Sequence, residues 1–321
     1  MMSKNKTAVV FPGQGTQKPG MGKDFYDNIR QSRETYAEAS QALGWDVAAL
    51  CFGDDEKINL TEFAQPCILT TEIAMLRGIQ SLYKFTPDYF GGHSLGEYTA
   101  LVAADAMPFS EALCAVQTRG QLMQQATPPG TGAMAAVIAQ GLDPAVIRNT
   151  LDGLPLDVAN INSADQIVIS GQADSMDAAE ERLQHMCVTT SDQTGQTDQS
   201  IRFVPLNVSA PFHSRFMNTI RDTFRDVLNA FSEKLNPENA ARVTSNVTGG
   251  FHSNDTENII EQLVSQISNS VNWRDNMQAL VEKAELIYEI GPNRPLRNFF
   301  RSIGITCQSI TTLSAAKRAF A

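Results

Sequence analysis

The segment Asp88-Tyr-Phe-Gly91 has room only for a short strand, and Gly92-His-Ser-Leu-Gly96 follows it directly, opening into helical spacing over Leu95 to Ala104. Two glycines framing one serine take the chain through a sharp strand-to-helix turn. Such a turn needs a sheet whose strand ends feed helices. Thr7-Ala-Val-Val-Phe11, a continuous and partly β-branched apolar run closed by Pro12-Gly13, suits a strand buried on both faces of a parallel sheet. Helical spacing over Phe25 to Leu43 and over Gln65 to Tyr83, where Leu69, Ile73, Leu76 and Ile79 recur at three- and four-residue steps, supplies covering layers.

From about Gly132 the texture changes. Ala133 to Ile138 reads as a strand, Pro144 to Leu151 as a helix, Leu156 to Asn160 and Gln166 to Ser170 as strands, Ser175 to Met186 as a helix, and Ile201 to Leu206 as a last strand. This β-α-β-β-α-β run resembles a ferredoxin-like insert, so residues 132–205 are expected to form a small subdomain within a large one made of 1–131 and 206–321. The polar stretch Thr189 to Ser200 is expected to be an exposed loop. Beyond it, Phe216 to Leu235 and Ile259 to Ala284 are helical in pattern, the second interrupted near Asn269; Leu286 to Ile290 is a strand, and Pro295 to Ile303 a helix.

The 321 residues suffice for this organisation, and 42% hydrophobic against 19% charged residues is a globular composition. A net charge of -10 argues against nucleic acid or an anionic membrane as partner, since both select basic faces. The cysteines, Cys51, Cys67, Cys114, Cys187 and Cys307, are scattered without a CxxC pair, which fits a reduced, cytoplasmic setting with no metal. The apolar run Ala8 to Phe11 falls far below a signal-peptide core or the roughly 20 residues of a membrane span.

A serine hydroxyl at such a turn is a poor nucleophile unless a base takes its proton and N–H donors meet the developing oxyanion. Ser94 has the Leu95 N–H at hand, although a helix entry with a capping serine would use the same residues. Four histidines are available. His93 adjoins the serine and would diverge from it, His185 lies in a Glu- and Gln-rich helix, and His252 in a Gly-Gly-Phe-His-Ser-Asn loop reads as solvated. His213, in Val208-Ser-Ala-Pro-Phe-His-Ser214 after a strand, is the preferred base.

Phe11-Pro-Gly-Gln-Gly-Thr-Gln17, Gly92-His-Ser-Leu-Gly-Glu-Tyr98, Gln117-Thr-Arg119 and Pro211-Phe-His-Ser214 occur in this order. With Gly130 to Met134, Asn160 to Ser163, Gln166 to Gly171 and Glu289 to Pro292, they make the chain resemble the malonyl-CoA:acyl carrier protein transacylase family. The resemblance implies an α/β fold, an α/β-hydrolase-like large subdomain with a ferredoxin-like small one inserted and the site in the cleft between them. It implies that Ser94 takes the acyl group, that His213 acts as base and then acid, and that the Gln14 and Leu95 amides form the oxyanion hole. It also implies that a main-chain oxygen near Gln266 orients the histidine, where an ordinary polar residue at a helix end is the other reading. His93, Met123, Asn162 and Phe212 would line the acyl pocket.

Arg119 lies in the helical pattern Ala112 to Met123, where an arginine is by default a surface residue. The resemblance instead makes it the fork that grips a free carboxylate, so that malonyl is preferred to acetyl, with Phe212 disfavouring a branched acyl chain. Pro211 stands where many polyketide-synthase domains of that family have alanine. Malonyl-CoA and an acyl carrier protein are the expected partners, phosphopantetheine belongs to the carrier, no bound cofactor is needed, and a monomer is expected. The basic residues Arg294, Arg297, Arg301, Lys317 and Arg318 could dock an acidic carrier or form a solvated helix face. A proofreading acyl hydrolase, an esterase and a non-catalytic carrier-binding module are the competing readings.

Overall fold

The computed structural model describes residues 5–194, 201–208 and 210–320, without the side chains of 186–194. Strand β1 (Thr7–Phe11) is buried along its whole length because it lies inside a parallel sheet, between β2 (Tyr89–Gly92) and β7 (Leu286–Ile290). The fourth strand, β8 (Cys307–Ile310), pairs parallel to β7 and was not foreseen, since Cys-Gln-Ser-Ile is too short and mixed to show a period. Outside β2, Val243 makes a parallel bridge to Phe90, which carries Thr244 to Asn246 along the strand toward the turn.

The second sheet is antiparallel with the order β4-β5-β3-β6, from β3 (Gly132–Ile138), β4 (Leu156–Ser163), β5 (Gln166–Gln172) and β6 (Arg202–Pro205). Helices Pro144–Thr150 and Met176–Thr194 connect these strands in β-α-β-β-α-β order, the ferredoxin-like arrangement, and a separate apolar core lies around Val137, Ile147, Ile167 and Leu183. The α/β fold of two subdomain types expected from the sequence is the one observed.

Several boundaries differ. The expected helix Phe25 to Leu43 is two, Lys23–Asn28 and Arg30–Leu43, because Ile29 is extended (φ -128°, ψ 124°). The stretch Phe216 to Leu235 holds one regular α-helix, Arg221–Asn229, flanked by 3-10 turns. Helix Met176–Thr194 continues past Thr189, where a loop was expected; residues 195–200 lie outside the described residues. The break foreseen near Asn269 is real. Helix Thr256–Gln266 ends, helix Trp273–Val281 begins, and between them Val271 bonds to both Ala159 and Ile161 of β4, at 2.8 and 2.9 Å. This short bridge pins the connection between the two helices to the antiparallel sheet.

No helix among the described residues is long and apolar enough to cross a membrane. Cys51, Cys67, Cys114 and Cys307 are free thiols, and no group of side chains there could hold a metal ion. Behind the parallel sheet, Trp273 packs edge-on against Phe300, with ring centroids 6.2 Å apart, and both are fully buried beside Ala8 and Val10. Phe300→Ala should lower the unfolding free energy by about 3–5 kcal/mol, read by chemical denaturation.

Candidate active site

The turn at Ser94 depends on what its neighbours lack. A Cβ on Gly92 would lie 2.0 Å from the Gly96 carbonyl, and one on Gly96 would lie 2.2 Å from the Phe11 carbonyl oxygen. Only glycine at both places lets helix Leu95–Ala103 start this close to β1. The bend leaves Ser94 at φ 53°, ψ -105°, a strained conformation that costs on the order of 1–3 kcal/mol. Its surroundings hold it there. Ser94 N–H donates to Asn246 Oδ1 at 2.7 Å, and its carbonyl accepts from Gln266 Nε2 at 3.0 Å.

Ser94 Oγ lies 2.7 Å from His213 Nε2, and His213 Nδ1 lies 2.7 Å from the Gln266 carbonyl. A carbonyl can only accept, so Nδ1 carries the proton and Nε2 is free to take one from the serine. The carbonyl is available because helix Thr256–Gln266 ends at that residue, leaving its last C=O groups without intrahelical partners. His213 itself has φ 57°, so both members of the serine–histidine pair sit in strained backbone. Burial, and then the nearby Arg119 charge, push the His213 pKa down to about 3, which keeps the imidazole neutral.

Arg119 is buried. Gly120 lets its helix, Phe109–Gln125, meet helix Thr61–Tyr83 backbone to backbone: a Cβ there would be 2.7 Å from the Thr61 carbonyl oxygen. The guanidinium donates to Gln65 Oε1 at 2.8 Å, Gln266 Oε1 at 3.0 Å and Ser94 Oγ at 3.1 Å, and lies over the Tyr98 ring. No carboxylate among the described residues pairs with it, and its Nε has no partner there. It is a cation fixed beside the nucleophile by neutral acceptors.

The remaining expected residues also converge. A cleft of about 600 Å³ between the sheets is lined by Gln14, His93, Ser94, Arg119, Met123, Asn162, Phe212 and His213. Gln14 follows Gly13, whose absent Cβ would meet the His93 carbonyl oxygen at 2.5 Å, so that loop packs onto the turn; Leu95 begins the helix behind Ser94. His93 bonds Asn162 Oδ1 at 2.8 Å and burial lowers its pKa, so it faces the cleft rather than the serine hydroxyl. Pro211 packs against Gly132 at the start of β3, where a Cβ would be 2.2 Å from the proline ring. A second cleft, about 850 Å³, touches His213 from the side of Arg148, Arg215 and Ser270 and does not reach Ser94.

Three residues at the site went unrecognised. Gln65, Glu97 and Asn246 are buried and bond directly to the groups above. A glutamine and a glutamate inside otherwise apolar helical stretches were the available signal; Asn246, in a loop, offered none. His252 is not solvated as expected: it is 3% exposed and its Nε2 lies 2.8 Å from Glu97 Oε1, because the Thr244–Phe251 bridge folds its loop back beneath the turn.

A strained serine at the end of a parallel strand, a neutral histidine and a buried arginine, in a cleft roofed by a ferredoxin-like sheet, make up the apparatus of a serine acyltransferase. Residues 8–292 match the family model described as acyl transferase domain, and the chain belongs to that family. The malonyl CoA-acyl carrier protein transacylase of Bacillus subtilis is 35% identical over 311 residues, covering 95% of this chain and 93% of the relative. The crystal structure of malonyl CoA-acyl carrier protein transacylase from Clostridium perfringens superposes with a TM-score of 0.85 at 33% identity, covering 98% of this chain and 96% of that one. A malonyl-transacylase solved in complex with its type II PKS acyl-carrier protein gives 0.83 at 31% identity, covering 98% and 99%.

The depressed His213 pKa has a direct readout. At pH 5, where an ordinary histidine of pKa about 6.5 would be mostly protonated, ¹⁵N NMR should show His213 neutral with its proton on Nδ1. In the unfolded chain it would protonate, so this residue makes stability fall as pH drops from about 6.5 toward 3. An imidazolium signature at pH 5 in the folded protein would contradict the depressed pKa.

Proposed function

We propose that this chain moves a malonyl group from malonyl-CoA to the phosphopantetheine thiol of an acyl carrier protein, through an ester on Ser94. The observation that carries this reading is Arg119: a buried guanidinium without a carboxylate, 3.1 Å from Ser94 Oγ, calls for a substrate that brings one. The names of the relatives support the same reaction, and the complex with an acyl-carrier protein supports the acceptor.

In the first half-reaction His213 Nε2 takes the Ser94 proton as Oγ attacks the thioester carbonyl, with the Leu95 and Gln14 amides as donors to the oxyanion. The C–S bond then breaks, and His213 returns the proton to the coenzyme A thiolate. In the second, the carrier thiol gives its proton to His213 and attacks the ester; the C–O bond breaks and the proton returns to Ser94 Oγ. A malonyl carboxylate on Arg119 offsets the positive charge that helps depress the His213 pKa. The imidazolium therefore forms more easily with the right substrate bound than without it. Met123, Phe212, Asn162 and His93 shape the acyl end of the cleft, with Phe212 working against a branched α-carbon.

The reading places the catalytic elements in 1–131 and 206–321 and the roof of the cleft in 132–205. It takes the protein to act as a monomer in the cytoplasm, the free thiols fitting a reduced compartment, and to need neither membrane nor nucleic acid, for which the acidic charge is the support. A proofreading hydrolase would pass the acyl group to water and has no use for the carboxylate-binding arginine.

Intact mass after brief mixing with malonyl-CoA should show one malonyl adduct, absent in Ser94→Ala; an adduct surviving that substitution would reject the nucleophile. Arg119→Ala should lower kcat/KM for malonyl transfer by roughly 10²-fold or more while leaving acetyl transfer far less affected, measured with both thioesters and a holo carrier protein.

A further inference from the structure

We infer that Glu97 and His252 form a buried positioning pair that fixes the side-chain amide of Gln266, and through it the guanidinium of Arg119 and the backbone that orients His213. The inference rests on the acyl-transfer reading, since its consequence is selectivity for a carboxylate-bearing acyl group.

Glu97 lies three residues beyond Ser94 on the turn helix, and both it and His252 are shut off from solvent. Its Oε2 accepts from Gln266 Nε2 at 2.7 Å and from the Asn246 N–H at 3.1 Å, while its Oε1 accepts from His252 Nε2 at 2.8 Å. A primary amide can be turned over at little cost in shape, exchanging oxygen for nitrogen. Here the two orientations are far from equal. With Nε2 toward Glu97, the Gln266 Oε1 meets the Arg119 donor at 3.0 Å. Turned over, it would set its own N–H groups against the guanidinium and its oxygen against the carboxylate. Glu97 therefore decides that Arg119 finds an acceptor at Gln266.

Gln266 also donates to the Ser94 carbonyl, and its main-chain oxygen receives His213 Nδ1. One residue thus touches the strained turn, the base and the arginine. The role of His252 is to hold the second carboxylate oxygen: without that donor, Oε1 would be a buried oxygen with no partner, and the carboxylate would be free to swing away from Gln266. His252 is itself anchored by its backbone N–H to the Val243 carbonyl at 2.9 Å, in the segment that bridges β2. Neither residue lines the acyl cleft, so both act through Gln266 and neither is a catalytic residue.

The test uses the full-length enzyme with His252→Phe, which keeps the bulk and removes the donor, and His252→Gln, which restores a donor. Malonyl and acetyl transfer to a holo carrier are measured with each, alongside thermal unfolding. His252→Phe should reduce the malonyl-to-acetyl ratio of kcat/KM by roughly tenfold, a typical coupling between neighbouring polar groups, and shift the His213 Nδ1–H resonance. His252→Gln should recover part of both. An unchanged ratio with only a lower Tm would reduce the pair to a structural role and overturn the inference. If His252→Phe does not fold, the ratio is read in His252→Gln and should still fall measurably below that of the unmodified enzyme; ¹⁵N NMR of the unmodified protein adds a second check, since Nε2 of His252 must carry a proton and a bare Nε2 would sink the idea. Absence of malonyl transfer in the unmodified enzyme would instead count against the acyl-transfer reading.

Discussion

A guanidinium buried without a carboxylate organises this molecule. Desolvating the Arg119 charge is expensive; neutral acceptors from Gln65, Gln266 and Ser94 offset part of that cost, and the Glu97 carboxylate, which does not pair with it directly, contributes from beyond the Gln266 amide. The same charge lies near His213 and helps keep it neutral. An arginine held in this way disfavours a cation and favours an anion in the cleft. Acyl selectivity and part of the depression of the His213 pKa therefore share one electrostatic source, with burial the larger cause of that depression.

The second constraint is mechanical. The end of helix Thr256–Gln266 frees a carbonyl for His213, and the few residues that follow pair with β4 through Val271. The element that orients the base is thereby also pinned to the antiparallel sheet. Ser94 and His213 both hold positive φ, and each is fixed by bonds from segments remote in sequence. Strain of this kind survives because several elements enforce it together.

Much of this was legible before any coordinates. Thr7 to Phe11 read as a buried strand from its unbroken apolar character, and the glycine-framed serine read as a turn because small residues flank it between a strand pattern and a helical one. The order of strands and helices from Gly132 to Leu206 identified a ferredoxin-like unit. Cys307 to Ile310 escaped because its pairing with β7, not its own pattern, makes it a strand. His252 was misread because a Gly-Gly turn looks exposed until the loop is seen folding under the helix.

The sequence by itself determined the sheet type, the sharp turn at Ser94 and the identity of the groups that could do chemistry, since those follow from local sterics and from side-chain inventory. Only the tertiary structure decided which of four histidines meets the serine, that Arg119 faces inward without a directly paired carboxylate, and that Gln65, Glu97 and Asn246 belong to the same network. Those facts depend on contacts between segments up to 172 residues apart. Periodicity records which face of an element is apolar; it carries no information about which polar group from another element will be waiting on the far side.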